Sequence, residues 1–427
     1  MLYSLFEWNH FALAPLRSLA QAQATLLRSP LNPISQTDFG RNAAAAADVF
    51  ESVTRRYTKP VWTIENTRVA GVDIPVTIEP VWSSPWCTLL KFHRDEDALK
   101  KVTDRRTDPS VLIVAPMSGH YATLLHGTVE TFLPDHDVYI ADWADARMVP
   151  LIFGRFDLHD FIDHVREMIR QIGPGANVVG VCQPGPGVLA AAALMEAEDD
   201  PALPASMTFM GSPIDARRSP TAPNVLATEK PESWFRQQMI HTVPLPYPGA
   251  LRRVYPGFVQ LASFVGMNLN RHIDAHRKYF DNLVKGDGDN VQKHRDFYAE
   301  YLSVMDLTEE FYMQTIVDVF QEFKLARGEF FHRGQRVRPD LIKRVALMTV
   351  EGENDDISGV GQTQAAHDIC SSIPAAMRLD YVQPDVGHYG VFNGRRFATE
   401  IYPRMREFMR TMRAQQQRPK LRVIDAA

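Results

Sequence analysis

Asn177-Val-Val-Gly-Val-Cys-Gln-Pro-Gly-Pro-Gly187 is the stretch on which the reading of this chain turns. An apolar run drives into a cysteine, breaks on Pro and Gly, and restarts as the Ala-rich segment Val188 to Glu198. Such a run suits a buried strand, and the Ala, Leu and Met that follow suit a helix. The unit is therefore strand, tight turn and helix, with Cys182 at the turn. A side chain there projects at the carboxyl end of a sheet, beside a helix N-terminus that favours negative charge. Gly180-Val-Cys182-Gln-Pro184 copies the G-x-S-x-G nucleophile elbow, with Cys in place of Ser and Pro in place of the final Gly. The other cysteines, Cys87 in Trp82-Ser-Ser-Pro-Trp-Cys and Cys370 in His367-Asp-Ile-Cys, read as small core hydrophobes.

Outward from this unit the pattern alternates. Val111-Leu-Ile-Val-Ala and Asp137 to Trp143 read as strands, with a helix over Tyr121 to Phe132 between them. Phe161, Ile162, Val165, Met168 and Ile169 mark one face of the next helix, and Ser206-Met-Thr-Phe-Met is a further strand. Strands alternating with helices predict an α/β class with a mainly parallel sheet covered on both faces and sites at its carboxyl ends. The alternation stops at Ser212-Pro213 and resumes at Arg344-Val-Ala-Leu-Met-Thr-Val350. The roughly 130 residues between hold aromatic-rich helical segments at Trp234 to Ile240, Phe258 to Tyr279 and Phe297 to Phe323, read as a large helical cap enclosing an apolar channel. Before the alternation, Leu13 to Leu27 and Ala43 to Thr58 have helical composition, and Val61 to Pro80 is extended around the turn Ala70-Gly-Val-Asp. The expected division is an N-terminal segment over 1–95, an α/β-hydrolase core over 96–213 and 341–427, and the cap over 214–340.

An α/β-hydrolase presents its groups in the order nucleophile, acid, histidine. After the cap, strand Val345 to Val350 ends in the acidic loop Glu351-Gly-Glu-Asn-Asp355-Asp356-Ile-Ser-Gly. Strand Met377 to Val382 ends in Gln383-Pro-Asp-Val-Gly387-His388-Tyr-Gly390. Asp355 and Asp356 both stand where the acid is needed, and spacing favours Asp355. In this reading His388 takes the thiol proton of Cys182, Asp355 fixes the imidazole, and the thiolate attacks a carbonyl to form an acyl-thioester. The oxyanion falls to the backbone N–H of Gln183 and to one from Ala115-Pro-Met-Ser-Gly-His-Tyr121, with Met117 the first choice and Ser118 the second. His120 in that loop reads as structural or substrate-facing.

Composition bounds the partners. The chain has 427 residues, 45% hydrophobic and 23% charged, with net charge −5, so it can bury a large core and does not suit nucleic acid. Three widely spaced cysteines make no disulfide framework and suit a reducing compartment. No apolar run reaches the roughly 18 residues of a membrane span, and the acid in Met1-Leu-Tyr-Ser-Leu-Phe-Glu-Trp-Asn-His argues against export. No G-x-G-x-x-G follows a strand, and the prolines after Cys182 remove N–H donors a pyrophosphate would need, so no cofactor is expected. His272-Ile-Asp-Ala-His276 has a metal-like spacing with no third ligand and reads as cap structure. Leu2, Leu5, Phe6, Trp8 and Phe11 form an apolar N-terminus suited to an interface or, in the preferred reading, to packing on the protein or a second subunit. The basic stretch Arg404 to Arg422 reads as the helix after His388 with a solvated face and a frayed end.

The elbow Val-Cys182-Gln-Pro, the aromatic cap, Glu-Gly-Glu-Asn-Asp355-Asp356-Ile-Ser-Gly-Val-Gly-Gln-Thr and Gly387-His388-Tyr-Gly-Val-Phe-Asn-Gly together resemble the intracellular poly(3-hydroxybutyrate) depolymerases, a polyhydroxyalkanoate depolymerase family with a cysteine nucleophile. The resemblance implies Cys182 as nucleophile, Asp355 as acid and His388 as base. It implies a cytoplasmic enzyme at storage granules that hydrolyses amorphous polyester, with the polyester surface as partner and a homo-oligomer as a further possibility. Polyester synthases, acyltransferases of related fold, are the nearest alternative, and their elbow ordinarily keeps a small residue where this chain has Pro184. A non-catalytic granule protein retaining the fold is the other.

Overall fold

The computed structural model describes residues 2–103 and 108–416. Its centre is a nine-stranded sheet. In chain order the strands are β1 (Asn66–Val69), β2 (Val72–Ser83), β3 (Cys87–Arg94), β4 (Ser110–Val114), β5 (Asp137–Trp143), β6 (Asn177–Val181), β7 (Ser206–Met210), β8 (Ala346–Gly352) and β9 (Arg378–Gln383). They lie side by side as β1-β2-β3-β5-β4-β6-β7-β8-β9. From β5 to β9 every pairing is parallel. β6, β7 and β8 are buried at each position, as strands covered on both faces must be.

Helices supply that cover. α3 (Leu158–Ile172) starts on a capping box between Asp157 and Asp160 and buries Phe161, Ile162, Val165, Met168 and Ile169, the face read from the sequence. α4 (Gly185–Ala197) is buried from Gly185 through Met195, so its Ala-rich surface lets helix and strands approach closely. Full burial of each Val or Leu here contributes about 1.5–3 kcal/mol. The mainly parallel sheet covered by helices is the α/β architecture expected.

Several elements differ from the sequence reading. The N-terminal segment is not separate, because β3 pairs antiparallel with β5 and extends the central sheet through β2 and β1. Helix α1 (Leu2–Arg28) begins well before Leu13, and α2 spans Asp38–Thr54. The helix expected over Phe258 to Tyr279 is two, α5 (Gly257–Met267) and α6 (Leu269–Lys285), divided at Asn268. The one expected over Phe297 to Phe323 breaks after α7 (Gly288–Tyr301): Asp306 is drawn inward, Leu307–Thr308 pair with Arg253–Tyr255, and Thr308 caps the next helix, Glu309–Gln314. Local composition reads as continuous helix here, whereas a buried carboxylate and a small sheet set the break.

The N-terminus divides between the two readings given for it. Tyr3 is buried and its hydroxyl donates to Asp306 at 2.6 Å, and Phe6 stacks on Phe258 with ring centroids 4.0 Å apart. Leu2, Leu5, Trp8 and Phe11 are exposed. At the other end, the basic helix α8 (Tyr402–Gln416) is less solvated than expected, since Arg406 and Arg410 both bind Asp135 and Arg404 covers the Tyr381 ring. The remainder of that basic stretch, with its expected fraying, lies outside the described residues. Among the described residues no helix is long and apolar enough to cross a membrane.

Candidate active site

Cys182 follows β6 directly and adopts φ +65°. A side chain in this left-handed region costs about 1–2 kcal/mol, and the surrounding structure holds it there. Its N–H donates to Met210 O at 2.8 Å, prolonging the β6–β7 ladder, while its carbonyl accepts from Gly185 N at 3.2 Å, closing the turn. Pro184 sits in helical conformation at the start of α4, where a missing N–H leaves no intrahelical bond unmade. Its departure from the usual elbow thus fits the local geometry. Gly185 is the tight position instead: a Cβ there would lie 2.4 Å from Cβ of Ser212.

The acid and the histidine arrive from the next strands. Asp355, in the loop after β8, has one oxygen 2.8 Å from Nδ1 of His388. Its other oxygen accepts the N–H groups of Ile357 and Ser358 at 2.9 and 2.8 Å. Asp356 is exposed, and the Asn268 amide donates to it at 3.4 Å. Gly211, with φ +55°, leaves room for this pair, since a Cβ on it would lie 3.1 Å from His388 Cε1 and 3.2 Å from Asp355 Oδ2. Burial of His388 opposes its cationic form. The charges of Cys182 and Asp355, with hydrogen bonds to both, override this and hold its pKa well above the ordinary 6.5.

Glu351, at the end of β8, organises the acid loop. Its carboxylate is buried and accepts from the N–H groups of Gly361, Thr363 and Gln364 at 2.8, 2.7 and 3.1 Å. Thr363 then ties this turn to the elbow side, with Oγ1 accepting from Ser212 N at 2.8 Å. Sequence reasoning assigned neither residue a role. The signal available was a strand ending in an acid ahead of two glycines and a Thr, which is also how an ordinary solvated turn reads.

Cys182, Gln183, Met117 and His388 line a cavity of about 540 Å³. Its walls come mostly from the inserted segment and its neighbours, including Phe235, Phe264, Phe311, Tyr312 and Phe320. Ser118 and His120 also line it. His120 is fixed by Nε2 against Tyr301 O at 3.0 Å, and burial lowers its pKa to about 4, so it is neutral near pH 7. The N–H of Met117 donates to Oε1 of the Gln183 side chain at 3.1 Å. His272 and His276 belong to an aromatic cluster, with His272 Nδ1 2.9 Å from the Tyr298 hydroxyl. Cys87 and Cys370 are buried, as read, and desolvation raises both thiols, Cys370 to about 12.

Residues 211–413 match the family model described as PHB de-polymerase C-terminus. Over this stretch the chain is similar to the PHB depolymerases. The matched stretch contains Asp355 and His388, whereas Cys182 precedes it. Among solved structures the chain is similar to a monoacylglycerol lipase of Paleococcus ferrophilus, with 13% identity over 72% of this chain and 96% of that one and a TM-score of 0.42. A putative lipase from Acinetobacter baumannii AYE has 12% identity over 80% and 93% of the two chains and a TM-score of 0.42. A thermophilic esterase from Thermogutta terrifontis has 13% identity over 82% and 97% and a TM-score of 0.38. A search of curated proteins returned no match.

Proposed function

We propose that this chain is a depolymerase that hydrolyses amorphous poly(3-hydroxybutyrate) of intracellular storage granules, with Cys182 as nucleophile, His388 as base and Asp355 as acid. One observation carries the reading: a thiol held at positive φ on the elbow, beside a histidine bonded to a buried carboxylate, at the wall of an apolar cavity. His388 accepts the proton of Cys182 Sγ as the sulfur bonds to the ester carbonyl carbon. The negative oxygen that results is stabilised by the N–H of Gln183 and, once freed, by that of Met117. Collapse breaks the bond to the leaving alkoxide, which takes the proton from His388, and an acyl-thioester remains. Water then gives a proton to His388 and attacks the thioester. The carbon–sulfur bond breaks, the thiolate recovers the proton, and a hydroxy acid leaves. Asp355 keeps Nδ1 of His388 protonated throughout.

A synthase-like acyltransferase would share the thioester but pass the acyl group to a growing chain. Pro184 in the elbow favours the depolymerase. The test compares wild type, Cys182→Ala and Cys182→Ser for release of 3-hydroxybutyrate or its oligomers from amorphous granules, with incorporation of 3-hydroxybutyryl-CoA followed in parallel. Release should fall about 10³-fold or more in Cys182→Ala. Undiminished release sinks the nucleophile assignment, incorporation without release selects the synthase, and a wild type inert in both assays selects the non-catalytic granule protein.

A further inference from the structure

The Gln183 side chain occupies a position that an ester hydrolase needs empty. A backbone N–H only donates, so the carboxamide facing Met117 N at 3.1 Å presents its oxygen, and its amino group is directed elsewhere. That amino group has no hydrogen-bond partner among the described residues, and Gln183 borders the same cavity as Cys182. An amide oxygen of the chain itself thus stands where a substrate carbonyl oxygen would accept from Met117. An entering ester must displace it.

Displacement leaves the carboxamide without its N–H partner in a largely apolar cavity. Several amide and imidazole atoms nearby are already engaged. His120 binds Tyr301 O, Asn224 Oδ1 accepts from Gln362 and Thr221, and Gln260 Nε2 donates to the carbonyls of Tyr255 and Met305. The displaced oxygen loses its donor in such surroundings, which penalises the complex, and a new partner that accepts from the amino group offsets part of that penalty. A polyester offers that partner, because an ester carbonyl recurs in every repeat unit, whereas a simple monoester has no second carbonyl.

We propose that the Gln183 side chain is a specificity-determining stand-in for the substrate carbonyl: it closes the oxyanion position at rest and, once displaced, donates to the neighbouring ester carbonyl of a polyester. This deepens the proposed function and rests on it. The experiment measures kcat/KM for 4-nitrophenyl butyrate and for a soluble linear 3-hydroxybutyrate oligomer blocked as its methyl ester. It uses wild type, Gln183→Ala and Gln183→Met, the last nearly matching glutamine in length while lacking the acceptor. Both variants should gain about fivefold on the monoester and gain nothing on the oligomer, so that the oligomer preference falls about tenfold with both substitutions. An unchanged preference, whether both rates rise or fall together, overturns the inference. Cys182→Ala in the same assays separates the two claims: its continued activity sinks the thiol reading, whereas an unchanged substrate ratio in the Gln183 variants sinks only this one.

Discussion

Asp355 divides its carboxylate between His388 and its own loop, with Oδ2 2.8 Å from the imidazole and Oδ1 held by two backbone N–H groups. The division keeps the acid from rotating, so the proton on Nδ1 of His388 is specified by backbone geometry. In Asp355→Asn the oxygen can stay on the loop only by turning its amino group toward His388, which then adopts the wrong tautomer. The expected loss in kcat on 4-nitrophenyl butyrate is about 10²–10⁴-fold, while Asp356→Asn stays within about twofold of wild type. Equal losses in the two variants would show that the acid was misassigned.

His388 carries a raised pKa because two opposite charges outweigh its burial. Removing one should let burial prevail. In Cys182→Ala the titration midpoint of His388, followed by its imidazole NMR signals, should fall by at least about one unit, and in Asp355→Asn it should also fall. The sign for stability follows from linkage. A raised histidine contributes fully below its unfolded value and loses that contribution as pH rises through the folded value. A midpoint unmoved in Cys182→Ala would mean that the thiol does not sense the imidazole.

Gly185 is constrained by Ser212 rather than by its own backbone. Gly185→Ala brings a Cβ to 2.4 Å from Ser212 Cβ and 2.6 Å from its Oγ, and one of them must shift. We expect a loss of about 1–3 kcal/mol in urea unfolding together with lower activity, because α4 would move relative to Cys182. The double variant Gly185→Ala with Ser212→Gly should recover part of both. Failure to recover either would place the strain elsewhere.

Asp145 and Asp306 are neighbouring buried acids, bridged where Asp306 N donates to Asp145 Oδ1 at 3.1 Å. Desolvation, and then the charge of Asp145, push Asp306 up to about 7. A carboxyl raised on folding favours the native state at low pH, and that advantage drains away as pH climbs from about 4 to 7. Asp306→Asn is neutral throughout. Its stability should therefore decline less than that of wild type between pH 5 and 8.5, by about 2 kcal/mol in urea melts, even though it is weaker at pH 5 for want of one acceptor. Parallel declines would rule out Asp306 as the titrating group.

The sheet was legible because its strands are buried on both faces, which leaves continuous apolar runs such as Val111 to Val114, and because each candidate group sits just past one of them. Cys182, Asp355 and His388 converge for the same reason. Other features rest on contacts between distant segments. The break after Tyr301 follows from Asp306 meeting Tyr3 and Asp145, and no window around Phe297 to Phe323 contains those partners. The antiparallel edge was hidden because β2 alternates only weakly between buried and exposed positions. Glu351 was missed because a carboxylate satisfied by three N–H groups of a later turn has the same sequence signature as a solvated one. Pro184 read as a defect in the motif, yet the helix start it occupies requires no donor.

The unequal burial of the three thiols also makes this chain a counting device. Cys87 and Cys370 are sealed in the folded protein, while Cys182 opens on the cavity. An alkylating reagent small enough to enter that cavity therefore meets one sulfur per native molecule and all three in an unfolded one. The label bound before and after denaturation gives the fraction of a preparation that is competently folded, with no need for substrate.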